Sequence, residues 1–145
     1  MPSTLPAPTG VASSETRANT SRALPSHDST RRIALAHQLV ARVLLGGIAL
    51  QLFFAGLGVF GITTFLPHVI WGTLVVLASL ALPLLAWRGH LKPALVRRSW
   101  LLVGLMLLQG LLIDIGHVVP VVSALHPVNA MLLVLVTYGL ASQTL

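Results

Sequence analysis

Four long apolar stretches constrain this chain more than any other feature. They run from Leu39 to Ile62 (broken only by Arg42 and Gln51), from about Phe65 to Trp87, from Trp100 to Val119, and from about Ala124 to Ala141. A helix of about 20 residues rises about 30 Å, the thickness of the hydrocarbon layer of a bilayer. Lipid offers no partner to backbone N–H and C=O groups, so such stretches cross as helices. The expected fold is therefore an all-α membrane protein with four transmembrane helices at about 33–62, 66–88, 97–119 and 124–143. Pro67 and Pro127 fall near helix starts, where proline is tolerated, and Ile62–Leu66 reads as a tight turn. Pro83 sits late in the second helix and is expected to kink it.

Charge supports the same reading. Only 8% of the 145 residues are charged, against about 25% in a typical soluble domain. All nine Lys and Arg residues fall on one side of the expected topology: Arg17, Arg22, Arg31, Arg32 and Arg42 before or at the start of helix 1, and Arg88, Lys92, Arg97 and Arg98 between helices 2 and 3. The positive-inside rule then places the N-terminus and the C-terminus in the cytoplasm of a multi-pass protein of the cell inner (plasma) membrane. Residues 1–29 are rich in Pro, Ser, Thr and Ala without an apolar period, so they read as a disordered cytoplasmic tail; residues 30–145 form the transmembrane domain. The tail is too polar to be a signal peptide.

Composition also excludes whole classes of chemistry. Glu15, Asp28 and Asp114 are the only acidic residues, so an intramembrane carboxylate pair cannot be built. Without cysteine there is no disulfide, no Cys-ligated iron–sulfur or zinc site, and no covalent c-type haem. The net charge of +6 does not form a basic patch interleaved with aromatics, so no nucleic-acid partner is expected.

One constant offset lays helices 1 and 2 on helices 3 and 4 without a gap: Gly46 falls on Gly104, Gln51 on Gln109, Gly58 on Gly116 and His68 on His126. The spacing from glutamine to histidine is thus the same in both copies. Both hairpins would start on the same side, so the expected architecture is an up-down four-transmembrane-helix bundle built from two parallel helical-hairpin repeats. In such a bundle helices 2 and 4 are diagonal, roughly 12–14 Å apart. His68 and His126 would approach the axis from opposite sides and could ligate one metal, haem iron above all.

Gly58 and Gly116 on the other diagonal, with Gly72 and Ala130 one helical turn after each histidine, would leave room for a flat macrocycle. The blander readings are interfacial histidines and glycines that serve close packing. Gln51 and Gln109, counted at helical rise, lie roughly 15 Å below the turn. At that depth they are not immediate partners of the histidines; they would bond to each other's helices across the axis or touch a cofactor edge or quinone. Asp114 and His117 form either a solvated pair or a proton relay. His27, His37 and His90 carry no site, and Trp71, Trp87, Trp100 and Tyr138 read as interfacial aromatics.

The stretches QLFFAGLGVFG, HVIWGTLVVLASLALPLLAWRG and SALHPVNAMLLVL resemble a small bacterial four-helix membrane family of unknown function, over about residues 38–143. The layout is also similar to one half of a haem A synthase, in which each half is a four-helix bundle with histidines on its second and fourth helices. That likeness implies that His68 and His126 are axial ligands of haem b. The chain has one bundle rather than two and no loop cysteines, so the synthase reaction itself is not implied.

The leading expectation is an integral membrane b-type haem protein that transfers electrons or handles haem near the outer leaflet. Any enzymatic activity would be of oxidoreductase type, with a redox protein or quinone as partner beside the lipid bilayer. A homodimer could imitate the eight-helix enzyme. The alternatives are a cofactor-free scaffold or accessory subunit and, less favoured for want of polar pore-lining groups, a small transporter.

Overall fold

The structure, a computed structural model, describes residues 27–143, and every regular element among them is helical. The elements are α1 (His27–Val59), α2 (Leu66–Ser79), α3 (Ala81–Arg88), α4 (Pro93–Gly116), α5 (Pro120–Ser123) and α6 (Leu125–Ala141). They make four helical segments long and apolar enough to cross a membrane: Asp28–Val59, Leu66–Arg88, Pro93–Gly116 and Pro120–Ala141. The expected tail lies outside the described residues up to residue 26. Residues 27–29, assigned to it from composition, belong to α1, which begins at His27 rather than near 33. Asp28 in the first turn complements the partial positive charge of the helix N-terminus, and this lets the helix run on past its apolar part.

The second span breaks where its proline requires. Pro83 has no N–H to give to the carbonyl of Ser79, and its ring crowds that same carbonyl. Regular helix accordingly stops at Ser79 and resumes at Ala81. Pro93 starts α4 directly after Lys92, whose ψ of 136° is the extended geometry that a following proline imposes. In the fourth span a separate turn, α5, precedes α6.

Helix α1 packs against α2, α3 and α6, while α4 packs against α2, α3, α5 and α6. Among the described residues the backbones of α1 and α4 do not come close, nor do those of α2 or α3 with α6, so those pairs lie on the two diagonals and meet through side chains only. The interior is narrow and centred on Leu44, Ile48, Leu82, Leu102, Met106 and Leu133. At most 33% of the most apolar window of any span is buried. The outward faces carry exposed Leu, Val, Ile and Phe, and such all-round apolar helices suit a lipid solvent rather than water.

The first and last spans are tied together at the end of the fold that carries the basic residues. Gln38 Nε2 donates to the carbonyls of Ala141 (3.3 Å) and Gln143 (2.5 Å), and Arg42 Nε donates to Ala141 O at 3.3 Å. The last turn of α6 holds no basic residue of its own. Its open carbonyls are thus met by side chains of α1, with a cation at the negative end of the helix dipole.

Candidate functional site

At the opposite end, each hairpin is closed by a glutamine–histidine clasp. In the first, His68 Nδ1 donates to the backbone carbonyl of Gln51 (3.1 Å), and Gln51 Nε2 donates to the carbonyl of His68 (2.8 Å). In the second, His126 Nδ1 donates to Gln109 O (3.0 Å), and Gln109 Nε2 to His126 O (3.0 Å). A third contact follows the same register: Trp71 Nε1 donates to Gly47 O and Asn129 Nδ2 to Leu105 O, both at 2.8 Å.

These contacts correct the depth assigned to the glutamines. Gln51 and Gln109 are the immediate partners of His68 and His126, and they bond within their own hairpins rather than across the axis. The depth expected from the sequence assumed helical rise throughout. Residues 60–65 are instead turn and bend, and residues 117–124 combine turn and bend with the short α5. Such irregular backbone covers more distance per residue than a helix, so the chain returns to the level of each glutamine sooner. Trp71 is likewise an interior residue rather than an interfacial one: half-buried, it lies edge-on to Phe54, with ring centroids 6.3 Å apart.

The two histidines do meet. Their ring centroids are 6.3 Å apart and the planes are inclined at 57°. Because a carbonyl can only accept, each Nδ1 carries the proton and each Nε2 carries the lone pair. Gln51 Nε2 lies 3.2 Å from His68 Nε2, so one amide N–H can share that lone pair. Two oxygens of these contact networks have no partner: Gln51 Oε1 and Asn129 Oδ1 are buried and unsatisfied. The corresponding oxygen of Gln109 accepts from Asn129 Nδ2 at 2.5 Å.

The glycines face side chains of their own hairpins. A Cβ on Gly58 would lie 2.9 Å from the Phe65 ring, and one on Gly72 would lie 2.6 Å from Gln51 Nε2. A Cβ on Gly116 would collide with Ser123 Oγ. Each glycine therefore admits a side chain of its own hairpin, and in this structure those faces do not form a slot. Ala130 is buried, 8% exposed. Asp114 and His117 are both exposed, on the surface rather than in the clasp.

Residues 51–116 match the model of a family of unknown function (DUF6220). No curated protein and no solved structure matches the chain. The likeness to a family of unknown function is borne out to that extent, and the matched stretch runs from Gln51 through His68 to Gly116 but stops before His126.

One buried polar pair escaped the reading of the sequence. His37, 3% exposed, shares a 3.0 Å hydrogen bond through Nε2 with Ser99 Oγ, which is fully buried. Its signal was helical spacing, since residues 37, 41, 44 and 48 line the buried face of α1. Ser99→Ala should lower stability by about 1–3 kcal/mol, because it leaves a buried ring nitrogen without a partner. The double variant His37→Leu/Ser99→Ala should recover most of that loss in a detergent unfolding titration. A double variant no more stable than Ser99→Ala would show that the hydrogen bond is not the cause.

Proposed function

We propose that the protein is an integral membrane haem b protein, in which His68 and His126 would hold the haem iron. The observation that carries this reading is the opposed imidazole pair, 6.3 Å between ring centroids, with both Nδ1 atoms anchored on backbone carbonyls. Imidazole nitrogen binds a first-row metal at about 2.0–2.1 Å, so two such bonds plus the two ring radii span roughly 6 Å. Anchoring Nδ1 fixes the tautomer and leaves Nε2 as the ligating atom; at His68 a metal would take the place of the Gln51 amide contact.

When bound, the haem would supply one-electron redox chemistry; the chain's own residues hold it and exclude water. Two copies of one hairpin, with the basic residues in the cytoplasm, would set this site near the outer leaflet of the plasma membrane. Electron transfer to a quinone or a redox protein, or haem handling, fits that position. The likeness to half of a haem A synthase points the same way.

A cofactor-free scaffold or accessory subunit is the second reading. It is favoured by the filled faces of Gly58, Gly72 and Gly116, which make each clasp complete without a ligand. One measurement divides the two. Protein purified after haem-replete expression should show sharp bands in a dithionite-reduced minus oxidised spectrum. A featureless difference spectrum would overturn the haem reading.

A further inference from the structure

The basic end of the fold carries a second site, unrelated to the histidine pair. Between α3 and α4 the surface opens into two clefts that share Trp87 and Val96. The one nearer the loop, about 360 Å³, is also lined by His90, Leu91, Pro93 and Arg97. The other, about 410 Å³, runs along Leu80, Pro83, Leu84 and Trp100, apolar side chains throughout. Together they form one furrow with a cationic mouth and an apolar floor. The break at Leu80, caused by Pro83, sets its far end.

Two further features single out this furrow. Trp87 and Trp100 are 69% and 58% exposed, so their rings stand open along it rather than packing inward. His90, with φ +47°, is the only non-glycine residue of positive φ among the described residues. It closes α3 in a Schellman turn, with Leu91 N donating to Ala86 O (3.0 Å) and His90 N to Trp87 O (3.1 Å). Glycine is usual at that left-handed position. A histidine there bears the cost of its Cβ and brings an imidazole to the mouth of the furrow beside Arg97. Arg88, Lys92 and Arg98 lie in the same connection, and no acidic residue occurs between 29 and 113.

We infer that this furrow binds one anionic phospholipid, its phosphate held by Arg97 and His90 and an acyl chain laid along Pro83, Leu84 and Trp100. Charge complementarity selects the anionic headgroup, since basic pockets between membrane helices are matched to such lipids. The apolar floor, continuous with the mouth, selects a lipid over a free phosphate. The indole rings suit the interfacial depth at which headgroup and chain meet. The site does not depend on haem.

The furrow holds two of the chain's three tryptophans, so their fluorescence reports its occupant. In phosphatidylcholine vesicles with a minor fraction of dibrominated phosphatidylglycerol, quenching should exceed that from the same fraction of dibrominated phosphatidylcholine. Arg97→Gln should reduce the preference about fivefold, as expected for one basic contact to an anionic surface. His90→Gly keeps the turn and should reduce it less. Arg31→Gln/Arg32→Gln removes two exposed charges of α1 that line neither cleft, and should leave the preference intact. Equal quenching by the two lipids would overturn the inference. So would a double variant that loses the preference as fully as Arg97→Gln, because the attraction would then be diffuse.

Discussion

On the proposed haem reading, His68→Ala and His126→Ala should each abolish the low-spin haem spectrum while leaving the helical circular dichroism intact. Low-spin haem iron needs two strong nitrogen ligands, and His68 and His126, with ring centroids 6.3 Å apart, are the pair that would supply them. Losing either leaves one imidazole, so the expected result is a high-spin five-coordinate spectrum or loss of haem on a desalting column. The fold should survive. Each variant removes one Nδ1–H to carbonyl bond of a clasp, a net contribution of about 0.5–1.5 kcal/mol, and the glutamine amide still reaches the backbone carbonyl at residue 68 or 126. The cofactor-free reading predicts the same small loss of stability and no spectrum to change. Retention of a low-spin spectrum in both variants would place the ligands elsewhere.

The span count and the break in the second span were legible because both are local. A run of apolar residues needs no partner to declare itself, and Pro83 disrupts the carbonyl one turn before it whatever surrounds the helix. The histidine pair was legible through the register that sets His68 on His126, a long-range fact carried by identity at a fixed offset. The same offset joins Trp71 to Asn129, but their side chains differ, so identity could not show that both donate to the facing helix. The glutamines were misplaced for a geometric reason: residue counts convert to depth only in helices, and both clasps lie beside irregular links. What the glycines face was not legible, because a missing side chain does not say what fills its space. Phe65, Gln51 and Ser123, all from the same hairpin as the glycine they face, fill it here. His37 was overlooked because its partner, Ser99, is remote in sequence and neither residue has an identical counterpart at that offset.

Gly116→Ala should destabilise the fold, because its added Cβ makes the shortest contact of any described glycine. The added Cβ would fall on Ser123 Oγ and approach Ser123 Cβ to 3.1 Å and Cα to 3.4 Å. Rotating the hydroxyl away relieves the first contact but not the second, so the link that leads to His126 must shift. Overpacking of this kind costs about 1–3 kcal/mol. Gly104→Ala is the control, since its Cβ meets nothing within 4 Å and the residue lies in the same helix, α4. Alanine is the better helix former there by up to about 1 kcal/mol, so this variant should be neutral or stabilised. Unfolding midpoints in a fixed detergent would give both values. Adding Ser123→Ala to Gly116→Ala removes the colliding oxygen and should restore part of the loss, leaving the residual set by the 3.1 Å Cβ contact. If the hydroxyl has no part in the damage, the double variant will be as unstable as Gly116→Ala. The damage then comes from the Cβ contact alone, whereas restored stability assigns part of it to the Ser123 hydroxyl.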